Sequence, residues 1–537
     1  MKSIILSSLV KVFSDEAPVG KIDKLSILKN EYGAFQLAFC DTSEGTYTVK
    51  VDTDLCISAF SVEEIPATKV CGDNADDYFL RKEPGMYPDL LKPFDSVSVK
   101  ANEWKSIWFE IAANDYAAGT RKVTVSLIKD GKTVSSGSVE IEVIDATMPE
   151  QTLICTNWYH TDCICNYYKI EAFSEEYWRI VENFAKAAVS HGINFLLTPL
   201  FTPPLDTQIG GERRTIQLVD VTKEDDGTYT FGFDKLDRWI EMCDRCGVKY
   251  FEMSHLFTQW GAMHAPKIVA TVNGKEKKIF GWGTWAASKK YTEFLRAFAE
   301  KLNSYMDKKG ITNRCIFHVS DEPNMLRLKE YAARSALIKE IFPNCRIIDA
   351  LSDIAFYEKG CLENPIPCIN HTLDFVGKVP ELWTYYCCGP SGGYHSNRFF
   401  AMPSQRTRVL GYQMYKYDVK GFLQWGLNFW NTQLSVSEID PFLVSDAGAA
   451  FPAGDAYVLY PGEGGEALVS LRFKIFREAI QDQRALNLLE SLCGREKAIE
   501  ILEDGTDGIT FSQYPRDDDW LLNKREQINA AIKDALK

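Results

Sequence analysis

Two acidic residues stand side by side in the segment "CIFHVSDEPN", residues 315–324. Asp321 and Glu322 follow a run of apolar residues typical of a buried strand, and Pro323 comes directly after them. Paired carboxylates suit acid–base chemistry, because one can donate a proton while the other stabilises positive charge or accepts a proton. Acidic residues also suit the first turn of a helix, where the helix dipole favours negative charge. The pair is therefore a candidate catalytic pair and, alternatively, a candidate helix entrance.

The position of the pair at the end of a strand favours the catalytic interpretation. Pro323 disfavours helical geometry at Glu322 and suits the first position of the following helix. Successive strand residues point to opposite faces, so two adjacent acids reach one pocket only where the strand gives way to a loop. We expect both carboxylates in one cavity. His318, inside the strand, is predicted to be a hydrogen-bonded core residue and not a catalyst.

Aromatic and polar residues follow the other predicted strands. Such residues suit sugars, whose C–H faces stack on aromatic rings while their hydroxyls bond to polar side chains. The predicted substrate-binding residues are Asn157, His160, His255, Trp285, Trp383, Tyr386, Trp425, Asn428 and Trp430. Each also has a structural interpretation, as a core aromatic or a loop polar residue. No metal-ligand spacing, G-x-S-x-G motif or phosphate loop occurs, so no metal and no cofactor is predicted.

From about residue 151, short apolar runs alternate with segments of helical periodicity. The strand candidates are LICTNWY, INFLLTPL, VKYFEMSHLF, RCIFHVS, CRIIDAL, IPCIN, ELWTYYC and GFLQWGL. Helices are predicted near 174–190, 234–246, 287–308 and 325–341. Eight strands with intervening helices predict a (β/α)8 TIM-like barrel, whose active sites lie at the C-terminal ends of the strands. An open doubly wound sheet is the alternative, but no G-x-G-x-x-G opens a helix after the first strand.

The flanking regions predict an N-terminal β domain and a helical C-terminal tail. Residues 1–148 contain short strands separated by turns, with the hairpin signal "KDGKT", and this pattern predicts a β-sandwich. The barrel is predicted to span 149–490, and a helical extension that packs on the barrel is predicted over 491–537. The predicted fold class is therefore α/β, with a catalytic barrel between a β-sandwich and a helical tail.

Composition narrows the class of protein. The chain has 537 residues, of which 45% are hydrophobic and 25% charged, as in soluble globular proteins. Its formal net charge of −14 argues against a nucleic-acid partner, which would favour a basic face. No run reaches the roughly 20 apolar residues of a membrane span, and "MKSIILSSLV" lacks the features of a signal peptide. We predict a cytoplasmic protein, or a secreted one if a leader was removed; the oligomeric state is not indicated.

Several segments resemble glycoside hydrolase family 123, whose known members are β-N-acetylgalactosaminidases. The segment "VSDEPN" resembles the catalytic segment of that family. Further similar segments are "PGMYPDLLKP", "SIWFEI", "AAGTRKVTVSL", "GDAYVLYPG" and "SLRFKIFREAIQD". Together these segments span residues from about 84 to 482, which is most of the chain.

The resemblance implies that Glu322 is the general acid/base and that Asp321 assists the acetamido group of the substrate. Adjacent acids suit such a scheme, in which the substrate's own carbonyl oxygen attacks the anomeric carbon. The implied activity is that of a retaining exo-β-N-acetylgalactosaminidase, acting through an oxazoline-type intermediate on glycans with a terminal β-linked N-acetylhexosamine. Glu322 is expected to carry a raised pKa. The alternatives are a non-catalytic carbohydrate-binding protein and a β-hexosaminidase or β-glycosidase of different sugar specificity.

Overall fold

The computed structural model describes residues 1–537, which form a mixed α/β fold with five sheets. The strands of the N-terminal region are β1 Lys2–Ser7, β2 Lys24–Lys29, β3 Gly33–Cys40, β4 Gly45–Asp52, β5 Ile57–Ala67, β6 Gly85–Lys92, β7 Val97–Val99, β8 Trp104–Ile111, β9 Gly119–Lys129 and β10 Lys132–Thr147. Strand alternation turns Val123, Val125 and Leu127 inward. There they share one core with Phe35 and Phe109 of another sheet of this region.

Twelve further strands lie between residues 154 and 424. They are β11 Ile154–Asn157, β12 Phe195–Thr198, β13 Asp220–Lys223, β14 Tyr229–Gly232, β15 Tyr250–Met253, β16 Ile268–Val272, β17 Lys275–Phe280, β18 Cys315–His318, β19 Arg346–Ala350, β20 Asn364–Ile366, β21 Trp383–Tyr385 and β22 Gly421–Gln424. Eight of these strands form two parallel sheets, in the orders β11-β22-β21 and β12-β15-β18-β19-β20. Most of their residues are buried, as expected for parallel strands covered on both faces.

The eight predicted strands are all present, although they form two hydrogen-bonded ladders and not one continuous ladder. The two sheets meet at both edges. A parallel bridge joins Cys368 to Tyr385 on one side, and on the other the amide of Asn194 donates to the carbonyl of Cys155 at 3.1 Å. The sixth strand lies earlier in the chain than the predicted segment IPCIN. Strand β20 ends at Ile366, because Pro367 has no N–H to continue the ladder.

Helices connect and cover the parallel strands. They are α1 Thr161–Tyr168, α2 Glu175–Val189, α3 Asp234–Cys246, α4 Lys289–Lys309, α5 Leu328–Ile341, α6 Ala355–Glu358, α7 Ser404–Arg408, α8 Leu410–Lys416, α9 Leu471–Cys493, α10 Arg495–Glu503 and α11 Asp518–Ala535. Ser174 and Ser288 cap α2 and α4 by accepting from backbone amides three residues on. The helices predicted in this region are confirmed to within a few residues. No helix combines the length and apolar character needed to cross a membrane.

The loops after β12 and β15 form a sheet of their own that the sequence did not predict. Strands β13, β14, β16 and β17 pair in the order β14-β13-β16-β17. Asn273 and Gly274, which connect β16 to β17, both have positive φ, the geometry of a tight hairpin turn. Helix α4 packs on this insertion sheet, where the rings of Tyr229 and Phe231 contact Phe294.

The C-terminal region does not pack on the parallel strands alone. Strands β23 Leu459–Pro461 and β24 Ala467–Ser470 pair with β6 and extend the N-terminal seven-stranded sheet, whose order is β1-β3-β8-β5-β6-β24-β23. The other N-terminal sheet has the order β2-β10-β9-β4-β7. In α11, Asn529 donates to the hydroxyl of Ser26 at 2.8 Å, and Arg525 bridges Glu31 and Asp482. Helix α11 therefore packs on the N-terminal sheet as well as on α9, most of which lies within the range predicted for the barrel.

Candidate active site

Asp321 and Glu322 lie directly after β18 and line one cavity of about 200 Å³. The cavity is lined by Trp158, Leu205, Asp206, Gln259, Trp260, Asp321, Glu322, Ala350, Tyr385, Cys387, Cys388, Leu423, Trp425, Gln433 and Phe451. These residues come from the carboxyl ends of several parallel strands and from the loops that follow them, where polar side chains tend to be functional. The structure therefore brings the two predicted acids together.

The backbone around Glu322 is held in an unusual conformation. Its φ is +43°, a region that non-glycine residues occupy only when their surroundings hold them there. The amide of Glu322 donates to the carbonyl of Ala350 at 3.1 Å, and the amide of Trp260 donates to the carbonyl of Asp321 at 2.7 Å. Pro323 is buried and disfavours a helical conformation at Glu322. Strain of this kind, fixed from two sides, is typical of a functional segment.

The alternative interpretation of the pair as a helix entrance is wrong. Asn324 caps a short 3-10 turn, Met325–Arg327, by accepting from the amide of Leu326 at 3.1 Å. Helix α5 begins only at Leu328, so Pro323 does not start the helix as predicted. Neither Asp321 nor Glu322 lies in its first turn, and the helix therefore does not account for their position.

The two carboxyl groups have different surroundings. Glu322 is exposed at the mouth and accepts a hydrogen bond from the hydroxyl of Tyr385. Burial raises the pKa of Asp321 well above its ordinary value, and the charges of Glu322 and Asp349 raise it further. The sequence argument expected the raised pKa on Glu322. In the structure, burial raises the pKa of the neighbouring Asp321.

Asp206 is a third carboxylate in the cavity, and the sequence did not predict it. Asp206, in the loop after β12, has φ of +38°, and its amide donates to Gln259 Oε1 at 2.6 Å. One carboxylate oxygen accepts from the amide of Leu434 at 3.0 Å, while the backbone carbonyl accepts from the hydroxyl of Ser435. Burial raises the pKa of Asp206 to about 6. Since Asp206 begins an insertion, its position relative to the strand end could not be inferred from periodicity.

Two tryptophans form walls of the cavity, each fixed by a buried carboxylate. The indole N–H of Trp425 donates to Asp455 Oδ2 at 2.9 Å, and that of Trp158 donates to Glu252 Oε1 at 2.7 Å. Trp425 was a predicted substrate-binding residue, and the structure places it at the cavity. Trp158 belongs to the same "NWYH" segment as Asn157 and His160 but was not among the predicted residues.

The predicted polar contacts Asn157, His160 and Asn428 are buried behind the cavity wall. Asn428 and His160 exchange two hydrogen bonds of 3.0 Å between the amide side chain of Asn428 and the backbone of His160. Asn157 Oδ1 accepts from the guanidinium of Arg398 at 2.7 Å. With 2% exposure or less, these side chains do not line the cavity. Their prediction as sugar contacts is corrected, because their polar atoms already bond to the backbone, to Arg398 and, at Nδ1 of His160, to Arg213.

Three of the predicted aromatic platforms are core residues. Trp383 and Tyr386 are fully buried, and the indole N–H of Trp430 donates to the carbonyl of Leu459 at 3.2 Å. Because strand residues alternate between faces, the residue that reaches the cavity at the end of β21 is Tyr385, one position before Tyr386. The prediction of these platforms is therefore corrected.

Trp285 lies outside the cavity, on the loop that follows the insertion sheet. Its side chain is 54% exposed and contacts the ring of His264 edge-on, with the ring centroids 5.1 Å apart. The nearby Trp260, which is 42% exposed, lines the cavity instead. Of the predicted aromatic residues, Trp425 therefore lines the cavity and Trp285 does not. Trp260, which was not predicted, lines the cavity as well.

His255, another predicted contact, belongs to a buried cluster with His318 and Asp349. Their ligand atoms lie within 4.8 Å of one another, the separation expected of residues that could hold a metal ion. The two imidazole rings are stacked, with centroids 4.3 Å apart and an interplanar angle of 28°. Ring nitrogens bind metals in the ring plane, so two stacked rings do not converge on one ion. His255 therefore takes part in the cluster by stacking, since neither of its ring nitrogens has a hydrogen-bond partner, and it does not reach the cavity lining.

Comparison with known proteins connects this geometry to a family. The family model described as "Glycoside hydrolase 123, catalytic domain" matches residues 158–489. A structure of a family 123 glycoside hydrolase from Clostridium perfringens, described in terms of glycolipid glycan hydrolysis, has a TM-score of 0.76 at 17% identity. That match covers 99% of this chain and 98% of the other, so the fold is shared along the whole length.

More distant structures align with lower scores. A family 39 glycoside hydrolase from Bacteroides cellulosilyticus has 11% identity and a TM-score of 0.33, covering 88% of this chain and 82% of the other. A Bacteroides ovatus GH5 xyloglucanase has 10% identity and a TM-score of 0.29, covering 85% and 98%. No curated protein matches the chain. The catalytic-domain model matches more than half of this chain, so the chain belongs to glycoside hydrolase family 123 and is a glycoside hydrolase.

Proposed function

We propose that the protein is a retaining exo-β-N-acetylgalactosaminidase that works by substrate assistance. The observation that carries this proposal is the pair of adjacent carboxyl groups in one cavity, Glu322 exposed at the mouth and Asp321 half-buried. In substrate-assisted hydrolysis the acetamido carbonyl is the nucleophile, so the protein supplies no nucleophile of its own. It supplies an acid for the leaving oxygen and a carboxylate for the amide nitrogen, and neighbouring acids can serve both positions.

Glu322 is the general acid in this proposal. It stands at the open side of the cavity, where the leaving group must emerge, and the hydroxyl of Tyr385 orients it. After the oxazoline-type intermediate forms, Glu322 takes a proton from water, and the product keeps its β configuration. An oriented acid contributes about 100- to 10,000-fold to such reactions.

Asp321 accepts the N–H of the acetamido group and stabilises the positive charge that develops as the carbonyl oxygen attacks. In the free protein, burial favours the protonated form of Asp321. A hydrogen bond from the amide favours the ionised form, so substrate binding lowers the pKa of Asp321.

The remaining cavity groups suit a single terminal sugar. Trp158 and Trp425 offer apolar walls for ring C–H faces, and Asp206 offers an acceptor for hydroxyls. We further infer that the two parallel sheets together form the (β/α)8 barrel of the enzyme and that the two N-terminal sheets form a β-sandwich. The shared core of these N-terminal sheets supports the second inference.

A panel of aryl β-glycosides tests the proposal. We expect hydrolysis of the β-GalNAc substrate, slower hydrolysis of the β-GlcNAc substrate and none of the β-galactoside, which lacks the acetamido nucleophile. Glu322→Gln and Asp321→Asn should each lower kcat at least about 100-fold. Glu330→Gln, a carboxylate in α5 outside the cavity, is the matched control. Turnover of the β-galactoside at a similar rate, or full activity of Glu322→Gln, would contradict the mechanism.

Two further measurements test the intermediate. A thiazoline analogue of the oxazoline should inhibit competitively, because it mimics the cyclic intermediate. Proton NMR of the first product should show the β anomer of the free sugar before mutarotation. Initial release of the α anomer would show inversion and exclude a substrate-assisted mechanism.

A further inference from the structure

A buried row of charged groups lies beneath the acid pair. Glu252 of β15, His318 of β18 and Asp349 of β19 are at most 1% exposed. His318 Nε2 lies 2.7 Å from Glu252 Oε1, and His318 Nδ1 lies 3.5 Å from Asp349 Oδ1. Each ring nitrogen of one histidine therefore faces a carboxylate on a neighbouring strand. Buried ionised groups are costly unless they are paired in this way.

The row of Glu252, His318 and Asp349 is hydrogen-bonded to the catalytic segment through Asp349. Asp349 Oδ2 accepts from the amide of Ser320 at 2.9 Å and from the hydroxyl of Tyr331 at 2.8 Å. Ser320 immediately precedes Asp321, and the carbonyl that holds the amide of Glu322 belongs to Ala350, the residue after Asp349. The backbone on both sides of Asp321 is thus fixed to β19 at this point.

At its other end the row fixes a wall of the cavity. Glu252 accepts from the indole of Trp158 and from the hydroxyl of Thr156 as well as facing His318. Displacing Glu252 would therefore disturb both a sugar-facing wall and the partner of His318. A single connected network links the tryptophan wall to the acid pair.

The electrostatic balance of this network favours a charged His318. Burial alone would lower the pKa of His318, but its contacts with Asp349 and Glu252 outweigh burial and raise the pKa to about 9. The stacked ring of His255 is neutral, since burial and the neighbouring charge of His318 hold its pKa well below the ordinary value.

Among the ionisable groups that act on Asp321, His318 is the one that favours its ionised form. Three carboxyl groups, Glu322, Asp349 and Asp206, oppose that ionisation. A cation beneath the cavity floor offsets part of this repulsion, and in a water-poor interior such an interaction is stronger than in bulk solvent.

We propose that Glu252, His318 and Asp349 form a positioning unit that fixes the backbone at Asp321 and keeps an imidazolium beneath it, so that Asp321 ionises when an acetamido sugar binds. The unit touches no substrate and acts through Asp321. This inference rests on the proposed function for the role of Asp321, whereas the charge state of His318 does not depend on any activity.

The first experiment therefore measures the charge of His318 directly. Long-range ¹H–¹⁵N NMR of the full-length protein reports the protonation of each histidine ring, and His318→Gln assigns the signal. We expect an imidazolium signal that persists from pH 6 to about 9. A ring that is neutral at pH 7 would overturn the proposal, even if hydrolysis of β-GalNAc were fully established.

The second experiment measures the effect on Asp321. Without the imidazolium, the ionised form of Asp321 loses its favourable neighbour, so the acidic limb of the kcat/KM profile should move upward by about one pH unit in His318→Gln. Activity should recover as the pH is raised. A loss of activity that is the same at every pH, with a lowered Tm, would indicate a structural role only and contradict the proposal.

Two further variants keep the test decisive if His318→Gln does not fold. Glu252→Gln removes one negative partner and should lower the pKa of His318, which the same NMR titration detects. Tyr331→Phe removes only the hydrogen bond from the Tyr331 hydroxyl to Asp349. It should leave the charge of His318 and the acidic limb of the kcat/KM profile unchanged. His371→Gln, a half-exposed histidine outside the network, is the control. An unchanged His318 titration in Glu252→Gln would show that the row is not coupled as proposed.

Discussion

The hydroxyl of Tyr385 donates a hydrogen bond to Glu322, and so connects the end of β21 to the end of β18 across the cavity. Burial raises the pKa of Tyr385 well above its ordinary value, and the neighbouring carboxylate of Glu322 adds to the effect. Tyr385 therefore remains a hydrogen-bond donor through the whole pH range in which enzymes are assayed. An acid at an exposed mouth needs such a partner, because solvent alone would leave its side chain free to rotate.

Tyr385→Phe should lower kcat on an aryl β-GalNAc by about 10- to 100-fold, since the variant leaves Glu322 in place but without its orienting donor. KM should change less, because the hydroxyl acts on the acid and not on the sugar. Steady-state kinetics checks both values. Tyr386→Phe is a matched control, since the neighbouring tyrosine lies in the core and its hydroxyl has no hydrogen-bond partner. A larger effect in Tyr386→Phe would contradict the placement of the two residues.

Asp321→Asn should make the protein inactive but more stable at neutral pH. The pKa of Asp321 is raised in the folded state above the value of 3.8 that it has when exposed. Between those pH values unfolding releases a proton, so the native carboxyl group loses stability as the pH rises through that window. Asparagine has no such cost. Thermal unfolding should show a higher Tm for the variant at pH 7 and no difference below about pH 4.

The same melting experiment has an outcome that would contradict this prediction. A variant that is equally destabilised at pH 4 and pH 7 would show that Asp321 is held by stabilising contacts and not by unfavourable burial. Glu322→Gln is the comparison, since its side chain is exposed and its replacement should change the Tm little at either pH.

The larger elements were predictable because the parallel strands carry apolar runs and the helices carry caps. Ser174 and Ser288, for example, stand directly before helices whose bounds were predicted to within two residues. The position of the acid pair was also predictable, since Asp321 and Glu322 follow an apolar run at once. What could not be predicted was the face on which a strand-end residue lies. Tyr385 and Tyr386 differ by one position, and only the register of the sheet determines which one reaches the cavity.

Residues held by tertiary contacts were missed for a different reason. Asp206 lies in an insertion, and its orientation depends on Gln259 and on loop residues more than 220 positions away along the chain. The raised pKa of Asp321 has the same origin. Burial is a property of the folded surroundings, and the order of residues in "VSDEPN" does not contain it.

Asp206→Asn should raise KM for an aryl β-GalNAc about tenfold and change kcat less, since the carboxylate is expected to accept hydroxyls of the bound sugar in both ground and transition states. The pKa of Asp206 is about 6. Below that pH the wild-type carboxyl is protonated and loses acceptor capacity, so its KM should rise as the pH falls. Asparagine does not titrate, and the variant should lose this dependence.

A neighbouring carboxylate provides the control for Asp206. Glu212, in the same insertion, pairs with Lys267 and Lys278 outside the cavity lined by the acid pair. Glu212→Gln should leave KM and its pH dependence unchanged. An unchanged KM in Asp206→Asn together with a lower Tm would show that Asp206 holds the loops together and does not bind sugar.

Asp89→Asn should destabilise the whole protein by about 3–5 kcal/mol, because it leaves a buried guanidinium without its counter-charge. Asp89 of β6 accepts from Arg472 of α9 at 2.6 Å and from the hydroxyl of Tyr460 at 2.5 Å, and the Asp89–Arg472 ion pair is almost fully buried. The contact joins the N-terminal sheet to the segment after the parallel strands. Urea unfolding followed by tryptophan fluorescence and by circular dichroism should therefore show one shared transition at a lower urea concentration.

The comparison for Asp89 is an exposed ion pair. Glu340 pairs with Arg296 on the surface, and Glu340→Gln should change the free energy of unfolding far less than Asp89→Asn does. Activity of Asp89→Asn should fall with the folded fraction and not before it, since the pair lies outside the cavity. Two separate transitions in the wild-type protein would instead show that residues 1–148 unfold as an independent domain. In that case the strands β23 and β24, which extend the N-terminal sheet, would contribute little to coupling the two regions.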